Sequence, residues 1–281
     1  MNDYINSPDP RDDLVLFYLL KNELDKVFQQ LRDYEQVSFE DKKVGVYKHL
    51  KKLMPCFDVI AEVAKMDSVQ SLITLTRMVV DNYSIHYLLT SFGTKGEQQL
   101  RYYLFLLDAT TSRINTAKDF YANVLFPLPE ETINNSKIVI QLDEKAVCDI
   151  KALIKKKGLN IGVDSTIIDN VNWKFKDKNP AKKSNNRYKW HELYSLARIP
   201  EHQSRLIQNY YSSYVHGLGM SLIPIYENID IFKALAYSTC NQVMPLLIKT
   251  LLLEFAEETK QVNLNKFVRI VMEDCWNLEK K

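Results

Sequence analysis

The stretch TRMVVDNYSIHYLL, Thr76 to Leu89, decides the fold. Leu72, Ile73 and Leu75 lead into it, and Met78, Val79, Val80, Ile85, Leu88 and Leu89 place apolar groups on most sides of a helix. A half-buried strand would alternate polar and apolar residues, and this run does not. A helix that is apolar nearly all round belongs at the centre of a bundle, covered by other helices. Yet the run also carries Arg77 and Asp81, four residues apart and so on one helix face, with Ser84 continuing that face. Burying such charges is costly unless they pair and find further hydrogen bonds. The two are therefore read as an ordinary intrahelical ion pair or as part of a polar site. His86 falls roughly opposite Arg77 and is not placed with it.

The same periodicity extends outward. Helices are expected at about 12–34, 39–65, 68–91 and 95–126, with Ser38 as N-cap of the second and Pro55 kinking or splitting it. FPLPEETINNS, 126–136, reads as a connector, and KIVIQLD, 137–143, as a lone short strand. A further helix at about 143–157 should end on Gly158. Residues 159–189 lose the period and form a long irregular basic excursion. Helices resume at about 191–198, 201–217, 229–259 and 263–276. The expected fold is all-α, one helical domain over 1–281, with N-terminal helices in 12–126 and C-terminal helices in 143–276. The architecture is a bundle of roughly seven to nine helices.

Composition agrees and excludes several classes. The chain has 281 residues, 46% apolar and 26% charged, with only seven glycines. A net charge of +2 does not make a polycation that coats nucleic acid. The opening MNDYINSPDPRDD lacks an apolar signal core, and no apolar run reaches the roughly 18–20 residues of a membrane span. A cytoplasmic protein without a membrane segment is expected. Cys56, Cys148, Cys240 and Cys275 stand singly and read as reduced thiols. There is no GxGxxG, Walker loop, HExxH or CxxC, and His49, His86, His191, His202 and His216 lack zinc spacing. No cofactor and no metal are expected.

Three further segments carry polar groups. In NYYSSYVHGLG, Asn209 to Gly219, a uniform α-helix lines up Arg205, Asn209, Ser212, Ser213 and His216 on one stripe, and Gly217 follows. Histidine is suited to acid or base work near neutrality, and equally to a buried hydrogen-bond hub. In the helix from Lys95, Arg101, Asp108 and Arg113 interrupt apolar residues and read as a solvated edge, with Glu97 and Arg101 spaced to pair. The loop around Lys174, Lys176, Lys182, Lys183 and Arg187, interleaved with Trp173, Phe175, Tyr188 and Trp190, offers a backbone-binding and base-stacking surface for RNA, or a plain solvated loop.

The Arg-x-x-x-acid helix (Arg77, Asp81) and the later Tyr-x-x-Ser-x-x-x-His-Gly run (Tyr210, Ser213 or Ser212, His216, Gly217) resemble a bacterial family, domain of unknown function 5677. WHELYSLARIPEHQSRLIQNYYSSYVHG looks like its C-terminal signature. The resemblance spans roughly 60–222, and Asp81 stands where the family motif ends in Glu. More distantly, the polar run ending in His resembles the HEPN superfamily, many of whose members are metal-independent ribonucleases of toxin and phage-defence systems. Their motif arginine has no counterpart here: the positions hold Asn209, Tyr210 and Tyr211. Arg77, arriving from a neighbouring helix, is the better replacement than Arg205, which lies about 16 Å along the axis from His216. Two functions follow as expectations. One is a binding or structural module for a protein partner or small anion, built on a buried cluster of His216, Ser212, Ser213, Asn209, Arg77 and Asp81. The other is a HEPN-like ribonuclease acting on RNA, with a homodimer as its expected assembly and those residues catalytic.

Overall fold

The computed structural model describes residues 10–35, 38, 40–66, 68–123, 127–181, 185–212 and 229–277. The fold is all-α, and among the described residues there is no strand. The chain divides into two compact units, residues 1–92 with 189–281, and residues 93–188.

The first unit is built from α1 (Pro10–Gln29), a 3-10 turn (Arg32–Glu35), α2 (Lys42–Lys65), α3 (Val69–Thr90), α7 (Trp190–Leu196), α8 (Glu201–Arg205), α9 (Ile229–Glu254), α10 (Ala256–Thr259) and α11 (Lys266–Asn277). Between α8 and Ser212 the chain makes a π-helical turn, Leu206–Tyr211. Helix α9 is the hub. It buries Phe232, Cys240, Val243, Met244, Leu247 and Leu251 and packs on α1, α3 and α11. Helix α3 packs between α2, α9 and α7, as an apolar helix must. One edge of it stays partly open: Met78 is 38% exposed, and Arg77 and Asp81 flank it.

Asp41, not Ser38, caps α2: its Oδ1 accepts the Lys43 amide at 2.8 Å. Pro55 neither splits nor ends that helix, which runs on to Lys65. Pro55 sits on the exposed side of the helix, where a carbonyl that its ring leaves without a donor costs least. No helix of the described residues is long and apolar enough to cross a membrane.

The second unit holds α4 (Lys95–Asn123), α5 (Glu130–Lys156) and the short α6 (Ser165–Asp169). Its largest departure from expectation is α5. The expected connector and lone strand, 126–143, are instead helical from Glu130 onward. Pro129 precedes the helix and Glu130 and Glu131 occupy its first turn, where carboxylates complement the helix dipole. A lone strand would have left its backbone unpaired, whereas the helix closes its own hydrogen bonds. Ile133, Ser136, Ile140, Asp143, Val147, Ile150 and Ile154 alternate by three and four and form the less exposed seam. Leu107, Thr110, Ile114, Ala117 and Tyr121 repeat the spacing on α4. This is a coiled-coil hairpin. Its helices are antiparallel: from the Arg113–Asp143 link to the Tyr121–Ser136 link, α4 advances eight residues while α5 steps back seven. The helix ends as the sequence predicts, with Gly158 at φ +64° and the Leu159 amide bonded back to the Ile154 carbonyl at 3.0 Å.

Gly93 starts this unit at φ +81°, and a Cβ there would lie 2.7 Å from Glu97 Oε2 and 2.9 Å from Arg101 Nη1. Gly93→Ala is expected to lower the melting temperature through backbone strain of about 1 kcal/mol, plus the displacement of two side chains. An unchanged thermal denaturation curve would show that the turn relaxes without cost.

Candidate functional site

The site grows from α3. Arg77 and Asp81, one turn apart, approach with Nε to Oδ2 at 3.6 Å, and their side chains are 17% and 24% exposed. Arg77 Nη1 donates to Ser212 Oγ at 2.9 Å, a contact 135 positions apart in sequence. Tyr194, on α7, donates its hydroxyl to Asp81 Oδ1. Burial, and then the Asp81 carboxylate, raise the Tyr194 phenol well above its usual range, so it stays protonated and remains the donor. The result is a directional chain in which Tyr194 fixes Asp81, Asp81 fixes Arg77, and Arg77 meets Ser212.

The π-helical turn decides which residues take part. Hydrogen bonds closing on i+5 add a residue to the turn, so everything beyond it falls behind by roughly one residue's 100°. A uniform α-helix would share one stripe among Arg205, Asn209 and Ser212. Here Arg205 is exposed and pairs with Glu201, Asn209 is exposed, and Ser212 is half-buried against Arg77. The turn is anchored through its aromatics. Ile207 and Tyr211 are buried, Tyr210 stacks on Phe232 of α9 at 6.3 Å, and Tyr211 Oη meets Thr239 Oγ1 at 3.4 Å.

Of the six residues expected in one buried cluster, Arg77, Asp81 and Ser212 are brought together. Asn209 lies at the surface, and Ser213 and His216 fall outside the described residues. Tyr194 was missed by sequence reasoning. It lies with Leu193 and Ala197 on the buried side of the short helix begun at Trp190, a pattern that by itself marks it only as packing.

The basic loop is also differently used. Trp173 and Phe175 are buried rather than presented for stacking. Trp173 Nε1 donates to Asp108 Oδ2 at 3.0 Å, and Phe175 lies under the Arg101 guanidinium at 4.2 Å. Arg101 and Asp108 are thus not a solvated edge, since they tie the loop to α4; Arg113 does lie at the surface, its side chain 64% exposed, and pairs there with Asp143 of α5. Lys174 is half-buried with Nζ 5.4 Å from the Trp173 ring, Lys176 and Arg187 are exposed, and Lys182 and Lys183 fall outside the described residues.

A second polar centre lies inside the first unit. His86 is 1% exposed and its Nε2 sits 3.0 Å from Thr250 Oγ1. His49 meets the Asn82 carbonyl at 3.1 Å. Burial lowers the pKa of both rings. Among the described residues no group of three or more His, Cys, Asp or Glu side chains is placed to hold a metal ion. Comparison with protein families, curated proteins and solved structures returns no match to this chain.

Proposed function

We propose that this chain is a helical binding module, without catalysis of its own, whose Arg77 takes a small oxyanion such as phosphate, free or carried by a partner. The observation that carries this reading is the partly open guanidinium held from both sides by Asp81 and Ser212. A guanidinium has five N–H donors in a planar fork suited to oxyanions. Nη1 is taken up by Ser212, Asp81 stands toward Nε, and the Tyr194 hydroxyl also neighbours the guanidinium. A positioned cation loses little further freedom when it binds.

Inorganic phosphate titrated into the protein is the direct test. Arg77→Gln is expected to weaken binding about tenfold or more, and Arg77→Lys to recover only part of it. Equal phosphate affinity in Arg77→Gln and the wild type overturns the reading.

One observation favours a second reading. Ser212 opens the Ser/His run, and its partner is the arginine that the HEPN resemblance would put in the motif arginine's place. In that reading His216 is the acid or base of a metal-independent ribonuclease. RNA cleavage by the wild type that disappears in both His216→Ala and Arg77→Gln would establish it. Cleavage that survives either variant would dismiss it.

A further inference from the structure

The outer side of the α4–α5 hairpin is unusually apolar. Ile138, Val139 and Leu142 on α5 are 53%, 50% and 61% exposed, and Phe120 on α4 is 54% exposed. At 100° per residue Ile138, Leu142 and Val139 fall within one 100° arc. Val139 precedes the seam residue Ile140, and Phe120 precedes the seam residue Tyr121. In an antiparallel coiled coil, such positions lie on the same side of the seam. The four therefore form one patch, of the kind that marks an interface.

Charge on this face indicates what covers it. Glu131, Ile138 and Lys145 follow one another at seven-residue intervals, so they share a ridge with an acid one heptad before the apolar centre and a base one heptad after it. Such a ridge is complementary to itself when reversed: in an antiparallel pair centred on Ile138, each Glu131 faces the other copy's Lys145. Elsewhere on the hairpin, Arg113 pairs with Asp143 and Lys118 with Glu144. Glu131 and Lys145 are exposed and make no ion pair among the described residues.

We propose that this face binds a second copy of the chain. The two α5 helices cross antiparallel about a two-fold axis at Ile138, and the two hairpins together make a four-helix bundle. An isologous contact of this kind closes on itself and stops at the dimer. Phe120, Val139 and Leu142 leave water, and the two Glu131–Lys145 pairs set the register.

The test is sedimentation velocity of the full chain over a concentration series. The wild type should dimerise. Ile138→Glu and Leu142→Glu should each weaken the dimer by about thirty-fold or more. Both sites are more than half exposed, so circular dichroism should show the helices unchanged. Glu131→Lys alone and Lys145→Glu alone should weaken the dimer, and the double reversal should restore it. In a Cys148→Ser background, Ile138→Cys should give a disulfide-linked dimer under mild oxidant, because a residue on a two-fold axis meets itself. A wild type that is monomeric throughout the series overturns the proposal. So does a dimer insensitive to Ile138→Glu, or one that the double reversal fails to restore.

Discussion

Lowering the pH from 7 to about 4.5 is expected to remove about 2.5 kcal/mol of stability through His86 alone. The Thr250 hydroxyl donates to the Leu247 carbonyl at 2.8 Å, so its oxygen accepts from His86 Nε2–H. Nδ1 is then the bare nitrogen, and it is buried with no partner among the described residues. A proton placed there would be a buried charge without a hydrogen bond. Burial above all, then the nearby His49 and Lys42, hold the His86 pKa down to about 3. In the unfolded chain the same ring titrates near 6.5. The unfolded state therefore binds more protons, and stability rises with pH. The contribution is complete above about 6.5 and drains away as the pH falls toward the folded value. His49, lowered by its own burial, adds in the same direction. The check is urea denaturation of the wild type and His86→Gln at both pH values. Glutamine keeps a donor for Thr250 and does not titrate. The stability difference between the two proteins should shrink by about 2.5 kcal/mol on acidification. A difference that stays constant would show that His86 is not the titrating group. Glu97 and Glu258, whose carboxyls are held below their usual range, also weaken the fold in acid, but they cancel in the comparison.

These buried groups mark where the sequence stops being legible. Long amphipathic and apolar helices could be read because spacing alone fixes which side is covered; α3 and α9 lie where their apolar runs require. Helix α5 was harder, because Ile138, Val139 and Leu142 add a second apolar side to the seam, and the two together mimic the alternation of a strand. The Arg77–Asp81 pair follows from a four-residue spacing. Its meeting with Ser212 depends on the π-helical turn, which depends in turn on where α9 offers Phe232 and Thr239 to Tyr210 and Tyr211. No local pattern in 206–211 encodes that. Tyr194 was hidden for a related reason, since a tyrosine on a short helix reads as packing until its hydroxyl is seen at a carboxylate.

Arg101 is the largest reversal of expectation, and its replacement should have the second large effect. A residue read as a solvated edge is 1% exposed. Its guanidinium lies 4.2 Å from the Phe175 ring centre, and Nη2 donates to the Phe175 carbonyl at 3.4 Å. Burial lowers its pKa, and the Glu97 carboxylate, itself held by the Thr94 amide at 2.8 Å, partly offsets that. Arg101→Ala should cost about 3 kcal/mol, because it opens a cavity under Phe175 and removes the bond that holds the loop backbone. The segment 171–188 should then become a trypsin substrate at Lys174, Lys176 and Lys178, at protease levels the wild type withstands. Arg101→Met separates packing from charge. It fills much of the same volume, and it relieves a desolvated cation, a change that is often neutral in protein interiors. The methionine variant should therefore recover more than half of the lost stability while leaving the loop more open to trypsin than in the wild type. If methionine proves as damaging as alanine, the stacked, hydrogen-bonded cation itself holds the loop, and filling the space beneath Phe175 does not.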